Sequence, residues 1–127
     1  MVRVLVFETS KDRAKLITDL LDDYRYKIFV NYNGEQALSA VREIKPSLII
    51  VNANVRPDSG LTLLEKIKQD ARLKKIPVIL ISSFNSTEIM AKVKKYPNVD
   101  YLVEPFKIKN FRHIVERWIN FRSLFVS

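Results

Sequence analysis

The sequence predicts an α/β domain built on five βα units, with a mostly parallel sheet covered by helices on both faces. Three observations carry that expectation. Short β-type apolar runs recur at intervals of about 20 to 30 residues. The intervening segments repeat apolar residues at helical spacing. Strand candidates such as Leu48-Ile49-Ile50-Val51 are apolar at consecutive positions, as strands buried on both faces must be. At 127 residues, 47% hydrophobic and 28% charged, the chain has the length and composition of one globular core.

Each element follows in order. The first strand is Val2–Phe7, and Thr9-Ser10-Lys11-Asp12 offers a helix N-cap with an acidic residue three positions on. That helix carries Ile17, Leu20, Leu21 and Tyr24 on one face. Lys27–Tyr32 is the second strand, followed by Ala37, Val41 and Ile44 at helical spacing. Leu48–Val51 is the third strand, followed by the turn chemistry of Pro57-Asp58-Ser59-Gly60 and a helix bearing Leu61, Leu64 and Ile67. Pro77–Ile81 is the fourth strand, and Ser86-Thr87-Glu88 opens a helix with Ile89, Val93 and Tyr96. Tyr101–Val103 is the fifth strand, and Ile108, Phe111, Val115 and Trp118 mark the last helix. Beyond Trp118 the helical pattern continues through Phe121, Leu124 and Phe125 with no Gly or Pro stop signal. We therefore divide the chain into a domain over 1–120 and a helical extension over 121–127. The extension reads either as a last turn folded on the domain, or as a connector to an output domain or a dimer-forming helix.

Composition removes whole classes of chemistry. With zero Cys there are no disulfides, thiolate metal sites or cysteine nucleophiles, and the single His113 excludes His-cluster metal sites. A lone His on a terminal helix reads as solvated or locally hydrogen-bonded and not as a pH sensor. With two glycines, Gly34 and Gly60, neither a GxGxxG cradle nor a Walker-type loop can be written. The longest apolar runs fall far short of a membrane span, and the start lacks a secretory leader, so the expected location is cytoplasmic. The net charge of +8 is an argument about partners: nucleic acid, anionic lipid or acidic protein.

In open α/β sheets ligands bind outside the carboxyl ends of the strands. Here those exits carry Glu8-Thr9-Ser10, Asn31 to Asn33, Asn52-Ala53-Asn54, Ser82-Ser83 and Glu104-Pro105. Their order and spacing resemble the receiver domain of bacterial response regulators over about Val2 to Trp118. The resemblance rests on Val4-Leu5-Val6-Phe7, Asn33-Gly34-Glu35-Gln36-Ala37-Leu38, Pro46 to Val51, Gly60-Leu61-Thr62-Leu63-Leu64, Ile76 to Ser82, and Asp100 to Phe106. It implies a doubly wound, flavodoxin-like parallel sheet in the order 2-1-3-4-5.

The resemblance also implies a phosphorelay site: an aspartate ending strand three as phosphoacceptor, an acidic pair after strand one for Mg²⁺, and a lysine before the strand-five proline. A strand-four hydroxyl and a strand-five aromatic act as the switch. This sequence departs from that pattern. The acceptor position is Asn52, whose carboxamide is no nucleophile at neutral pH, so no acyl phosphate is expected there. The acidic pair reads Glu8 and Thr9, and Mg²⁺ binding is expected to be lost or weak. The lysine position is Glu104, an anion where a phosphate needs a cation. Arg56, Pro57 and Ser59-Gly60 depart from the family's loop, which is expected to be remodelled. Ser82 and Tyr101 keep the switch residue types, and read either as plain structure or as a working relay.

With Glu8, Asn52 and Glu104 converging, the pocket is expected to close on itself, for example by an Asn52 amide hydrogen bond to Glu8. A hard cation held by Glu8, Glu104 and the Asn52 oxygen is chemically allowed. Carboxylates at strand ends more often pair with a neighbouring cation, here Arg56. Asp58 is turn chemistry and no substitute acceptor. No nucleophile or oxyanion cradle accompanies the two carboxylates, so no enzyme activity, cofactor or metal is expected. The basic residues of the last three helices decorate a face with Lys92, Lys95, Tyr101, Lys109 and Arg112, the surface receivers use for dimers and output contacts. The resemblance thus implies a degenerate, pseudo-receiver variant working through protein–protein interaction or homodimerisation in two-component signalling. The competing readings are a basic scaffold for nucleic acid or anionic membrane, argued from charge alone, and a phosphorelay through an unrecognised acceptor.

Overall fold

The computed structural model describes residues 2–22, 24–55 and 59–126, with side chains described up to 119. The strands are β1 (Arg3–Phe7), β2 (Lys27–Asn31), β3 (Leu48–Asn52), β4 (Val78–Ser82) and β5 (Val99–Val103). They alternate with α1 (Lys11–Leu20), α2 (Ala37–Ile44), α3 (Gly60–Gln69), α4 (Thr87–Val93) and α5 (Ile108–Val126). All pairings are parallel and the sheet order is β2-β1-β3-β4-β5, as expected.

Strand side chains alternate between faces, and so build two cores. Leu5, Phe7, Ile49, Val51 and Leu80 point to the layer of α2, α3 and α4, where Val41, Leu64, Ile67 and Val93 meet them. Val4, Val6, Ile50, Ile79 and Ile81 point to α1 and α5, against Ile17, Leu20, Phe111 and Val115. The central strands β3 and β4 are buried along their whole length, which is why their sequences show no polar alternation.

Several boundaries differ from the sequence reading. Tyr24 and Tyr96 lie past the ends of α1 and α4, although both pack against the cores at the expected apolar spacing. Strand β5 begins two residues earlier than its apolar core suggested, at Val99. Ser10 and not Thr9 caps α1, accepting the Arg13 N–H, and Ser86 caps α4 as expected. Ser59, read as a turn residue, accepts the Thr62 N–H and caps α3. Lys68 on α3 is 8% exposed. Its ammonium donates to the Lys74 and Ile76 carbonyls at 3.0 and 2.6 Å, and burial pushes it down to about 8. Arg56, Pro57 and Asp58 lie outside the described residues. Helix α5 continues through Val126 without interruption at residue 120, while the packing expected of 121–127 lies outside the described side chains. Among the described residues, no helix is long and apolar enough to cross a membrane.

Candidate functional site at the carboxyl edge of the sheet

Parallel register brings the strand exits together. Phe7 pairs with Asn31 and Val51, Asn52 with Ile81, and Ser82 with Val103, so Glu8, Asn52, Ser82 and Glu104 share one edge. Gly60 sets how closely α3 approaches it. A Cβ there would fall 2.2 Å from the Asn52 carbonyl oxygen, inside any van der Waals contact. The Gly60 N–H donates to the Ala53 carbonyl at 2.8 Å, fixing the start of α3 to the end of β3.

Glu8 and Asn52 are buried, at 4% and 3% exposure. The Asn52 amide donates from Nδ2 to Glu8 Oε1 at 2.7 Å, the contact expected from the sequence. Glu8 Oε2 accepts the Ser10 N–H at 3.0 Å, and Asn52 Oδ1 accepts the Asn54 N–H at 2.8 Å. A buried carboxylate is tolerable when donors meet its oxygens, and here both oxygens are met. Thr9 is exposed on the loop after β1.

Glu104 does not join the Glu8–Asn52 pair by a hydrogen bond. Its Oε1 receives Arg13 Nη1 from α1 at 2.9 Å, across a half-exposed ion pair. The cation beside Glu104 is thus Arg13, which the sequence reading missed because its ring of contacts closes over 91 residues of chain.

Ser82 is fully buried and faces its own loop. Its hydroxyl donates to the Phe84 carbonyl at 2.9 Å and accepts the Phe84 N–H at 3.3 Å. The Tyr101 hydroxyl donates to the same carbonyl at 3.0 Å. The two switch-type residues therefore share the Phe84 carbonyl of the β4–α4 loop, and Phe84 itself is 57% exposed. Nothing in the sequence beyond an apolar residue in a polar loop would have singled out Phe84.

The basic face needs one correction. Trp118 donates to Asp100 on β5 at 2.5 Å, and Arg117 stands 3.9 Å from the same carboxylate while its guanidinium covers the Trp118 ring. The β5 flank of α5 is thus the 117–118 side. Arg112 lies roughly 140° round the helix from Arg117. Its charge acts on the Tyr24 hydroxyl, so it belongs to the α1 flank and not to the Tyr101 face. Tyr24 donates to Glu116 at 2.5 Å and stacks on Tyr26, and burial with the Glu116 carboxylate pushes its hydroxyl up to about 12. Lys92 stands 3.7 Å from Glu88 one turn earlier on α4, while Lys95 and Lys109 are exposed.

A doubly wound sheet of this order, with polar side chains gathered at its carboxyl edge, has the architecture of receiver domains. The response regulator receiver domain model matches residues 4–116, and the chain belongs to that family, a module of two-component signalling. It is 26% identical over 116 residues to the polar-differentiation response regulator DivK of Brucella anthropi, covering 91% of this chain and 94% of that protein. It is 25% identical to the transcriptional regulatory protein ZraR of Salmonella typhimurium, of which it spans 26%. Among solved structures, the receiver domain of a LuxO-type repressor from Vibrio parahaemolyticus superposes with a TM-score of 0.84 at 26% identity, covering 97% of this chain and 93% of that one. The chemotaxis protein CheY4 of Vibrio cholerae superposes at 0.80 with 20% identity, covering 92% and 98%, a likeness of fold.

Proposed function

We propose that this receiver domain acts without phosphotransfer, as a pseudo-receiver whose pocket is closed by its own side chains. The observation that carries the reading is the buried Asn52–Glu8 hydrogen bond. The position from which an aspartate would attack a phosphodonor holds an amide, and that amide is spent on the neighbouring carboxylate. The donor set does not fit the Mg²⁺ that the family implies. Both Glu8 oxygens already accept N–H groups, Thr9 offers no carboxylate, and Glu104 is tied to Arg13.

Output then depends on partner binding. The supporting features are the exposed Phe84, whose carbonyl accepts the Tyr101 hydroxyl, with the exposed cation Lys95 and the half-exposed Lys92 on the α4 side. Arg117 takes the place that the sequence reading gave to Arg112. A protein partner or second copy bearing carboxylates fits this face, since aromatic anchors ringed by charge serve as binding centres.

The test is intact mass after incubation with Mg²⁺ and acetyl phosphate, beside a receiver that does react. An unchanged mass is the expected result. A labile phosphoryl gain would return the chain to ordinary phosphorelay through another acceptor, with Asp58 the first residue to substitute.

A further inference from the structure

The opposite, amino edge of the sheet carries a second feature. Between the carboxyl end of α2 and the loop joining α3 to β4 lies a groove of about 380 Å³. Its floor is apolar, from Val41, Leu73 and Ile76, and its rim holds Arg42, Lys45 and Arg72. No carboxylate lines it among the described residues.

The walls are fixed in advance. Arg42 reaches from α2 to Asp70 at 2.7 Å, and Asp70 in turn accepts the Arg72 and Leu73 N–H groups at 2.9 and 3.2 Å. The buried Lys68 ammonium and the Asn98 amide both bind the Lys74 carbonyl, at 3.0 Å each. A groove held this way loses little freedom when it is filled. Lys45 adds an independent observation. It closes α2 in the left-handed region, at φ 55° and ψ 60°, a position that favours Gly or Asn. The lysine there places a cation on the rim of this groove.

We propose that this groove docks an acidic peptide segment of a partner protein, an aliphatic side chain seated on the half-buried Ile76, with the buried Val41 and Leu73 beneath it, and flanking carboxylates meeting Lys45 and Arg72. The charge is complementary to an acidic chain, and Lys74 and Lys75 extend it beyond the groove along the same exposed loop. A nucleic acid fits the floor poorly, because no aromatic side chain among the described lining residues offers a base a surface to stack on. The site is independent of the closed pocket at the carboxyl edge and stands or falls without it.

The experiment is amide chemical-shift mapping of the isotope-labelled protein, titrated with a short peptide of aspartates flanking one leucine. Saturable shifts clustered on residues 41–46 and 72–76 are expected, with a control peptide carrying serine in place of leucine binding several-fold more weakly. Lys45→Glu combined with Arg72→Glu weakens binding by roughly tenfold or more. Lys45→Gly relieves the backbone, so it raises the melting temperature while weakening binding, which separates a docking role from a folding one. The proposal is overturned by absence of shifts at millimolar peptide, or by shifts scattered over the whole basic surface. Equal binding of the two peptides, unchanged affinity of Lys45→Gly, or tighter saturation of the same amides by a single-stranded oligonucleotide would also overturn it.

Discussion

Replacing Asn52 by Asp is the sharpest probe of the closed pocket, because it restores the acceptor residue type while removing the donor that neutralises Glu8. The substitution puts an oxygen where an amide nitrogen now stands 2.7 Å from Glu8 Oε1, with both residues almost fully buried. Two like charges at that separation repel by about 6 kcal/mol at an effective dielectric of about 20. The pair escapes by retaining one proton, and keeping a carboxyl of ordinary pKa protonated at pH 7 costs about 4 kcal/mol. A shared proton recovers one hydrogen bond, so the net loss at neutral pH is about 2–4 kcal/mol. The sign follows from linkage. The carboxyl that keeps its proton has a folded pKa raised above its unfolded value. Its contribution is therefore present below the unfolded carboxylate range and lost as pH rises through the folded value. Urea unfolding should find Asn52→Asp close to the parent near pH 4 and well below it near pH 7. Millimolar Mg²⁺ should restore little of the loss. Equal stability at neutral pH would refute the electrostatic argument, and Mg²⁺ rescue accompanied by phosphorylation from acetyl phosphate would refute the closed pocket itself.

Three further outcomes follow from the same geometry. Gly60→Ala drives a methyl group into the Asn52 carbonyl and costs about 2–3 kcal/mol in urea unfolding. Arg13→Ala removes a half-exposed ion pair and costs under about 1 kcal/mol, an effect that added salt should shrink. Tyr24 has its folded pKa raised, so its contribution is complete below pH 10 and is lost as pH rises through about 12. Alkaline unfolding of Tyr24→Phe should converge on the parent across that window, and parallel curves would show that the Glu116 contact is not what sets it.

The fold was legible because its strands obey the simplest rule. Leu48 to Val51 and Val78 to Ile81 are apolar without a break, which only a sheet covered on both sides requires. Helix ends were less so, since Tyr24 and Tyr96 continue the apolar spacing after the backbone ladder has stopped, and packing alone holds them there. At the site, the Asn52–Glu8 contact could be anticipated from residue types at neighbouring strand ends. The Arg13–Glu104 pair could not, because it depends on the facing of α1 over the end of β5. Arg112 was assigned to the wrong flank for a related reason. Periodicity places a residue on a helix, but the direction that helix faces is set by Phe111, Val115 and the Trp118–Asp100 contact. Composition likewise cannot distinguish a surface cation from one buried over backbone carbonyls, as Lys68 is.

Charge balance links the closed pocket to the latched loop. In the arrangement that the family resemblance implies, several carboxylates crowd one edge and need a metal ion and a lysine to neutralise them, so phosphorylation changes a large local charge. Here one buried carboxylate is met by two N–H donors, and the other is met by Arg13. Among the described residues, Glu8 and Glu104 are both met by protein groups. The Ser82 hydroxyl is committed to the Phe84 peptide, where Tyr101 adds a second hydrogen bond. Two side chains thus hold the Phe84 carbonyl of a loop whose Phe84 is exposed. On the proposed reading, binding at that face would require no triggering event at Asn52, and its strength would be governed by the concentration of the partner and by the cations of that face.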